Sequence, residues 1–184
     1  MELRTASNPK DVKFYTTDRL REEFLIQNVF VPNDFRLVYS HIDRIITGSA
    51  MPINKTLVLT AGDELRADYF LERREMGVIN IGGKGIITID GRDYTVDFKE
   101  GMYIGMGSKD ISFKSLDSAA PAKFYFNSTP AHKTYPTVLI KPEGTPEDGV
   151  VIVKGQGFQE TLQFFETLAD FWWIAFVGLG IGLV

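Results

Sequence analysis

Short apolar segments, separated at regular intervals by turn-forming residues, dominate the sequence from residue 29 to residue 126. The pair Asp90-Gly91 separates two of them, and glycine in such a pair supplies the positive φ that a tight hairpin turn requires. In chain order the segments are 29–31, 35–39, 42–46, 56–59, 78–81, 86–89, 94–98, 102–104, 111–113 and 123–126. Strands this short and this regularly spaced predict an all-β sandwich or barrel.

Alternation along these segments predicts which side chains point into the barrel. Successive side chains of a strand lie on opposite faces, so residues two apart share a face. On this basis the inward positions should include Tyr69, Leu71, Ile79, Ile81, Ile87 and Ile89. Side chains of this size fill the interior of a small barrel.

A short amphipathic helix is expected before the first strand. Within residues 17–30, Leu20, Phe24 and Leu25 recur among charged residues, and Thr17 could be the N-cap. The first thirty residues contain several charges and lack the apolar stretch of a secretory signal. We therefore expect a cytoplasmic protein.

The composition changes after residue 141. Residues 142–149 form a polar, Pro/Gly-containing linker, and the last fourteen residues, 171–184, are uncharged. A helix of that run would cover roughly 21 Å, short of the ~30 Å hydrocarbon core, so a membrane span is not expected. The expected organisation is a helical segment at 1–28, a degenerate cupin domain at 29–142, and a linker with an apolar tail of unknown role at 143–184.

Charge and composition exclude several functions. The 20 basic residues are scattered among 24 acidic ones, for a net charge of −4, which does not favour nucleic-acid binding. The chain has no cysteine, which excludes thiolate metal sites and cysteine nucleophiles. Only two histidines occur, His41 and His132, so a metal site with two imidazoles would have to use both.

Two stretches resemble the motifs of cupin barrels. Residues 69–75, followed by Gly82, have the spacing of the first cupin motif, but Tyr69 and Leu71 stand where metal-binding cupins carry histidines. Residues 101–107 resemble the second motif, yet the region where a histidine is expected reads Ser-Lys-Asp at 108–110. We therefore expect a cupin barrel that binds no metal.

The resemblance becomes specific over longer stretches. Residues 38–46, 69–83, 121–125 and 130–137 are similar to the N-terminal half of the 4-deoxy-L-threo-5-hexosulose-uronate ketol-isomerase family, also called 5-keto-4-deoxyuronate isomerases. The resemblance covers about residues 1–142. It implies a two-cupin, homo-oligomeric enzyme of pectin and uronate catabolism, which interconverts an aldose and a ketose.

The same resemblance implies zinc, held in the family by three histidines and a glutamate of the second cupin. Nothing after residue 142 resembles that cupin, so none of the family's zinc-binding residues can be assigned to a position of this chain. We therefore expect the chain to bind no zinc. We therefore expect an incomplete and inactive form of the isomerase, from a truncated or frameshifted gene. The alternative is a non-catalytic cupin module that binds an acidic sugar or a partner subunit.

Three arginines are candidates for binding the carboxylate of a uronate, because a guanidinium binds carboxylates through two hydrogen bonds. They are Arg44, Arg73 and Arg74, and Tyr69 is a further candidate for substrate binding. Ion pairing of the arginines with the neighbouring acidic residues Asp43, Glu72 and Glu75 is the more frequent arrangement and the favoured one.

The two histidines have competing roles. His41 could shuttle a proton, since histidine titrates near neutral pH, and Arg44 could assist it. The favoured alternative is a structural histidine hydrogen-bonded near Asp43. His132 lies in a proline-bounded loop, 130–136, where a contact with another domain or subunit is the simpler interpretation.

Overall fold

A computed structural model describes residues 1–141, and the expected linker and apolar tail lie outside the described residues. In chain order its elements are β1 (Glu2–Arg4), α1 (Pro9–Val12), α2 (Thr17–Phe24), β2 (Phe35–Ser40), β3 (Ile46–Ala50), β4 (Leu57–Leu59), α3 (Gly62–Leu65), β5 (Arg74–Asn80), β6 (Gly85–Ile89), β7 (Arg92–Val96), β8 (Gly101–Ile104), β9 (Ile111–Ser115), β10 (Phe124–Pro130) and β11 (Val138–Ile140).

The described strands form two sheets. The larger has seven strands in the order β1-β2-β3-β10-β5-β8-β11, and the smaller has four in the order β4-β9-β6-β7. Strand β1 pairs in parallel with β2, and the other strand pairs are antiparallel. The predicted all-β sandwich is thereby confirmed.

The core lies between the two sheets and is rich in aromatic rings. Phe113 of the smaller sheet stacks on Phe126 of the larger at 6.0 Å and meets Phe35 edge-on at 5.8 Å. Phe113 and Phe126 are both completely buried. Burial of a side chain of this size contributes about 1.5–3 kcal/mol, which makes these rings a main source of the sandwich's stability.

Gly48 in β3 lies directly opposite Phe126 of β10 and Leu37 of β2 in the larger sheet, and it leaves room for their side chains. A Cβ at this position would lie 2.4 Å from the Phe126 ring and 2.8 Å from a methyl group of Leu37. Real Cβ atoms do not approach other atoms so closely, so a larger residue here would have to displace the ring. The glycine therefore makes room for an aromatic side chain that fills the core.

The predicted hairpin at Asp90-Gly91 is present. Both residues have positive φ, 49° and 81°, and the flanking strands β6 and β7 pair in register from Gly85↔Val96 to Ile89↔Arg92. This is the backbone geometry of the two-residue turn that matches the twist of an antiparallel ribbon.

Several predicted strands are shifted or absent. Residues 29–31 form no strand, and 42–45 form the turn that precedes β3. Residues 66–73, where Tyr69 and Leu71 were expected on a barrel strand, form turns that lead into β5. Strands β1 and β11, at the edges of the larger sheet, have no counterpart in the prediction.

The predicted inward face is right for three residues and wrong for three. Leu71, Ile87 and Ile89 are buried in the core, as expected. Ile81 is 48% exposed, and Tyr69 and Ile79 are only partly buried. In β5 the inward residues are instead Met76, Val78 and Asn80, one position out of phase, and a shift by one residue exchanges the two faces of a strand.

The N-terminal helix is confirmed as α2, with its cap one residue earlier than predicted. The hydroxyl of Thr16, not Thr17, accepts a hydrogen bond from the backbone N–H of Arg19. Neither α1 nor α2 contains a buried residue. Within residues 1–141, no helix is both long and apolar enough to cross a membrane.

Candidate functional site

Three strands of the larger sheet end together at one mouth of the sandwich. Inward-facing columns run along β2 through Phe35 and Leu37, along β5 through Val78 and Met76, and along β10 through Phe124 and Phe126. Because side chains alternate, the next inward positions are Tyr39, Arg74 and Ser128. The apolar core thus ends in a polar layer at this mouth.

A cavity of about 200 Å³ opens at this polar layer. It is lined by strand ends and by the segment that crosses from β4 to β5. The lining residues are Tyr39, Arg44, Glu64, Leu65, Ala67, Phe70, Arg73, Arg74 and Pro130. The three arginines proposed from the sequence as carboxylate ligands therefore lie around one cavity.

Arg74 is the most buried of the three, with 7% of its surface exposed. Its Nε donates to Ser128 Oγ at 3.2 Å, and its Nη2 donates to the carbonyls of Ser128 at 2.8 Å and Arg44 at 2.6 Å. These acceptors are neutral, and within residues 1–141 no carboxylate forms an ion pair with it. Burial, together with the nearby Arg44 cation, lowers the pKa of Arg74 to about 10, so it stays charged at neutral pH.

The favoured ion-pairing interpretation therefore holds for only one arginine. Arg73 lies 3.6 Å from Glu72 in an exposed pair, and its Nη2 donates to the Arg66 carbonyl at 2.9 Å. Arg44 forms no ion pair with Asp43 or with any other described carboxylate. Asp43 and Arg44 both have a left-handed φ of 54°, in the turn before β3.

The single acid of the described lining is already paired. Glu64 Oε1 lies 3.1 Å from the Met1 ammonium. A backbone hydrogen bond and this ammonium lower the pKa of Glu64, so its carboxylate stays ionised and paired with Met1. The charge of the three arginines is thus only partly balanced by the described part of the chain.

Tyr69 and His41 lie near this mouth in sequence but outside the lining. The Tyr69 ring is 5.8 Å from the Lys109 ammonium, and the neighbouring Phe70 lines the cavity instead. His41 is exposed, and its ring meets Tyr39 edge-on at 5.1 Å. Among residues 1–141, no hydrogen bond joins the His41 side chain to Asp43.

The sequence analysis missed two inward polar residues of the mouth. Tyr39 and Ser128 continue the apolar columns of β2 and β10 by the period of two, so extending the alternation by one step would have found both. It also missed a buried acid on the other face of β5. Glu75 is 5% exposed and accepts a hydrogen bond from the Tyr103 hydroxyl at 2.9 Å.

Burial raises the pKa of Glu75, although the bond from Tyr103 and the charge of His132 act in the opposite direction. Burial and the Glu75 carboxylate likewise raise the pKa of Tyr103. His132 itself is exposed in the loop after β10. These groups lie across the sheet from the cavity, since Glu75 and Arg74 are neighbours on a strand.

The described residues do not fit a zinc centre of three histidines and a glutamate. Within residues 1–141, no three side chains of histidine, cysteine, aspartate or glutamate lie close enough together to hold a metal ion. The whole sequence contains two histidines, His41 and His132, and both are among the described residues.

Comparison with solved structures finds cupin domains. One is the cupin domain of Cnp3 from Schizosaccharomyces pombe, which is 12% identical, covers 53% of this chain and 64% of its own, and has a TM-score of 0.41. Another is a cupin protein from Bacteroides fragilis, 16% identical, covering 60% of this chain and 79% of its own, with a TM-score of 0.37.

Comparison of sequences is far more specific. A 4-deoxy-L-threo-5-hexosulose-uronate ketol-isomerase from Lachnoclostridium phytofermentans is 74% identical over 143 residues, which are 78% of this chain and 52% of that relative. The enzyme of the same name from Escherichia coli is 49% identical over 145 residues, again 78% of this chain and 52% of the relative. The chain thus spans about half the length of the curated relatives it matches.

The model of the KduI/IolB family matches residues 24–150. This range includes every strand of the sandwich except β1, and all the residues that line the cavity. Together with the high identity to the ketol-isomerases, the match shows that the chain belongs to the KduI/IolB family.

Proposed function

We propose that this chain serves the ketol isomerisation of 5-keto-4-deoxyuronate, as the N-terminal cupin of a two-cupin enzyme. The observation that carries the proposal is the 74% identity to a ketol-isomerase over 143 residues. At such identity the substrate class of the relative is the natural expectation for the protein to which this domain belongs.

The reaction defines what this domain lacks. Moving a carbonyl along a sugar requires removal of a proton next to it, and the charge of the resulting enediolate must be stabilised. The family resemblance implies zinc for that purpose. Since the described residues offer no ligand set for it, we propose that the domain contributes binding and assembly, and that these 184 residues alone do not turn over substrate.

A chimera tests this assignment. Residues 1–141 would replace the matching half of the L. phytofermentans enzyme, and the chimera, the intact relative and the chain alone would be assayed with zinc and authentic substrate. We expect the chimera to turn over at a rate near that of the relative. The chain alone should be slower by at least two to three orders of magnitude, the usual loss when an electrostatic stabiliser is missing.

Two results would contradict the proposal. One is a chimera that folds and holds zinc yet does not isomerise the substrate. The other is turnover by the chain alone that rises linearly with protein concentration and survives chelation.

We also propose that the protein is a cytoplasmic homo-oligomer that does not bind nucleic acid. The N-terminal segment supports the oligomer, because four of its apolar side chains are exposed. Phe14, Leu20, Phe24 and Leu25 are 77%, 38%, 51% and 41% exposed. Exposed apolar groups of this kind commonly mark association surfaces. Light scattering coupled to gel filtration measures the oligomeric state, and a Phe14→Ser/Phe24→Ser variant should shift it towards smaller species.

The second candidate function is a non-catalytic cupin that binds an acidic sugar or a partner subunit. The cavity with three arginines favours the acidic sugar. This function does not require a metal, and it is compatible with the first, because one domain of a larger enzyme can bind a ligand that another domain converts.

A further inference from the structure

We propose that the cavity at the mouth of the sandwich is a binding site for a small organic carboxylate of about monosaccharide size, anchored by Arg74. The site gives a residue-level form to the second candidate function. It does not depend on the isomerase assignment, because it requires neither a metal nor residues beyond the described domain.

Arg74 carries a buried charge that no described opposite charge compensates. Burying a charge is costly unless an opposite charge compensates it. Arg74 is 7% exposed, yet its described hydrogen bonds go to a hydroxyl and two carbonyls, and no described carboxylate pairs with it. A guanidinium held in this way is poised for an anion, which would supply the missing charge.

The lining of the cavity has an excess of positive charge, with three arginines and one glutamate. Arg44 and Arg73 line the same cavity as Arg74, and Glu64, the acid in the lining, is engaged by the Met1 ammonium. Glu72 approaches Arg73 at 3.6 Å, but from a side chain that does not line the cavity. An anion entering the cavity therefore meets three cations and no free carboxylate among the described residues.

The described residues hold the Arg74 guanidinium in place through their own contacts. The Arg44 carbonyl accepts a hydrogen bond from Arg74 at 2.6 Å, and Arg44 has a left-handed φ of 54° that only its surroundings can maintain. Ser128, 1% exposed, accepts from the guanidinium twice, from Nε through its hydroxyl and from Nη2 through its carbonyl. Preorganised donors lose little conformational freedom on binding, which favours affinity for a small ligand.

The dimensions and the remaining walls define the ligand class. A volume of about 200 Å³ is smaller than the ~300 Å³ at which pockets for drug-sized molecules begin, so the ligand is small. Tyr39, Phe70 and Leu65 add apolar and aromatic surface to the lining, and the Tyr39 ring lies 5.8 Å from the Arg74 guanidinium carbon. A hexuronic acid fits this lining, because its carboxylate can bind the arginines and its compact ring can contact the apolar side chains.

Isothermal titration calorimetry of the full chain tests the site with three probes: D-galacturonate, the neutral sugar D-galactose and inorganic phosphate. We expect saturable binding of galacturonate at roughly millimolar affinity or tighter, weakened by added salt, and no binding of galactose. Equal binding of galactose would overturn the proposal, as would no binding of galacturonate. Binding of phosphate without galacturonate would overturn the assignment to carboxylates.

Variants locate the binding. Arg74→Gln should weaken galacturonate binding at least about tenfold, the loss typical of a charge-assisted hydrogen bond. Arg44→Gln keeps the carbonyl that positions Arg74 and removes only an exposed charge, so it should fold normally and weaken binding roughly two- to fivefold. Arg92→Gln is the matched control, since Arg92 is exposed on β7 and does not line the cavity.

An unchanged affinity in the folded Arg44→Gln and Arg73→Gln variants would refute the site even if Arg74→Gln did not fold. An equal loss in Arg92→Gln would also refute it, because it would reveal a general charge effect. Turnover of the chimera reports on the isomerase proposal separately, so the failure of one proposal can be distinguished from the failure of the other.

Discussion

Replacing Gly48 by alanine places one methyl group where the core leaves no room. The new Cβ would lie 2.4 Å and 2.6 Å from two ring atoms of Phe126 and 2.8 Å from a methyl group of Leu37. The ring cannot turn aside freely, because it is completely buried, stacks on Phe113 at 6.0 Å and contacts Phe70 edge-on at 6.5 Å. The overpacking should cost about 1–3 kcal/mol.

Gly101→Ala is the matched control. Gly101 also lies in a strand of the larger sheet, but a Cβ there would meet its nearest atoms at 3.4 Å and 3.8 Å, which are ordinary contacts. That variant should be neutral or gain up to about 1 kcal/mol from the reduced freedom of its unfolded chain. The two variants should therefore differ by roughly 1–4 kcal/mol in the free energy of unfolding.

Chemical denaturation followed by far-UV circular dichroism measures this difference. Tryptophan fluorescence is unsuitable for the described domain, because both tryptophans, Trp172 and Trp173, lie outside it. Equal stability of Gly48→Ala and the unmodified chain would refute the reasoning. Equal destabilisation by both variants would refute it as well, because the cause would then be alanine in a strand and not the close approach to Phe126.

Three further predictions concern buried polar groups and metal. Burial raises the pKa of Glu75, so this residue contributes stability below its ordinary pKa of 4.5, and the contribution is lost as pH rises through the folded value. Glu75→Gln should therefore gain stability relative to the unmodified chain as the pH of urea titrations rises above 4.5, and a constant difference would contradict this. Asn80→Ala should lose roughly 2–4 kcal/mol in the same assay, because Asn80 Nδ2 donates to the Gly83 and Val96 carbonyls and Oδ1 accepts from the N–H groups of Gly82 and Lys123; a loss below about 1 kcal/mol would show that water replaces these bonds. Elemental analysis of the purified chain should give no stoichiometric zinc, and one tightly held zinc per chain that disappears on joint substitution of His41 and His132 would show that a ligand set exists.

Much of the fold could be predicted because its signals are local. The hairpin at Asp90-Gly91 depends on two adjacent residues, and β6 to β10 follow from β-rich segments between turns. The face of β5 could not be predicted in this way. The pattern Ile79-Asn80-Ile81 favours the isoleucines as inward residues, whereas four hydrogen bonds from separate parts of the chain compensate the burial of Asn80.

The candidate site likewise has a part that could be predicted from the sequence and a part that depends on the folded chain. Arginine chemistry identified Arg44, Arg73 and Arg74, which do line one cavity. Which of the arginines is paired could not be known from the order of residues: Glu72 pairs with Arg73, whereas Glu75 lies on the opposite face of β5 from Arg74 and Asp43 lies in a left-handed turn without pairing with Arg44. Because side chains alternate along a strand, Arg74 and Glu75 lie on opposite faces of β5 although they are adjacent in the sequence.

The position of β10 at the centre of the seven-stranded sheet has a consequence for biosynthesis. It pairs with β3 through Phe124↔Ala50, residues 74 positions apart, and with β5 through Phe124↔Asn80, residues 44 positions apart, so neither pairing can form until β10 has been synthesised. At about 5–20 residues per second on the ribosome, β2, β3 and β5 emerge seconds before the strand that joins them. Until then Phe35, Leu37 and Met76 lack their partner surface, and the nascent chain is a natural client for chaperones that shield apolar segments.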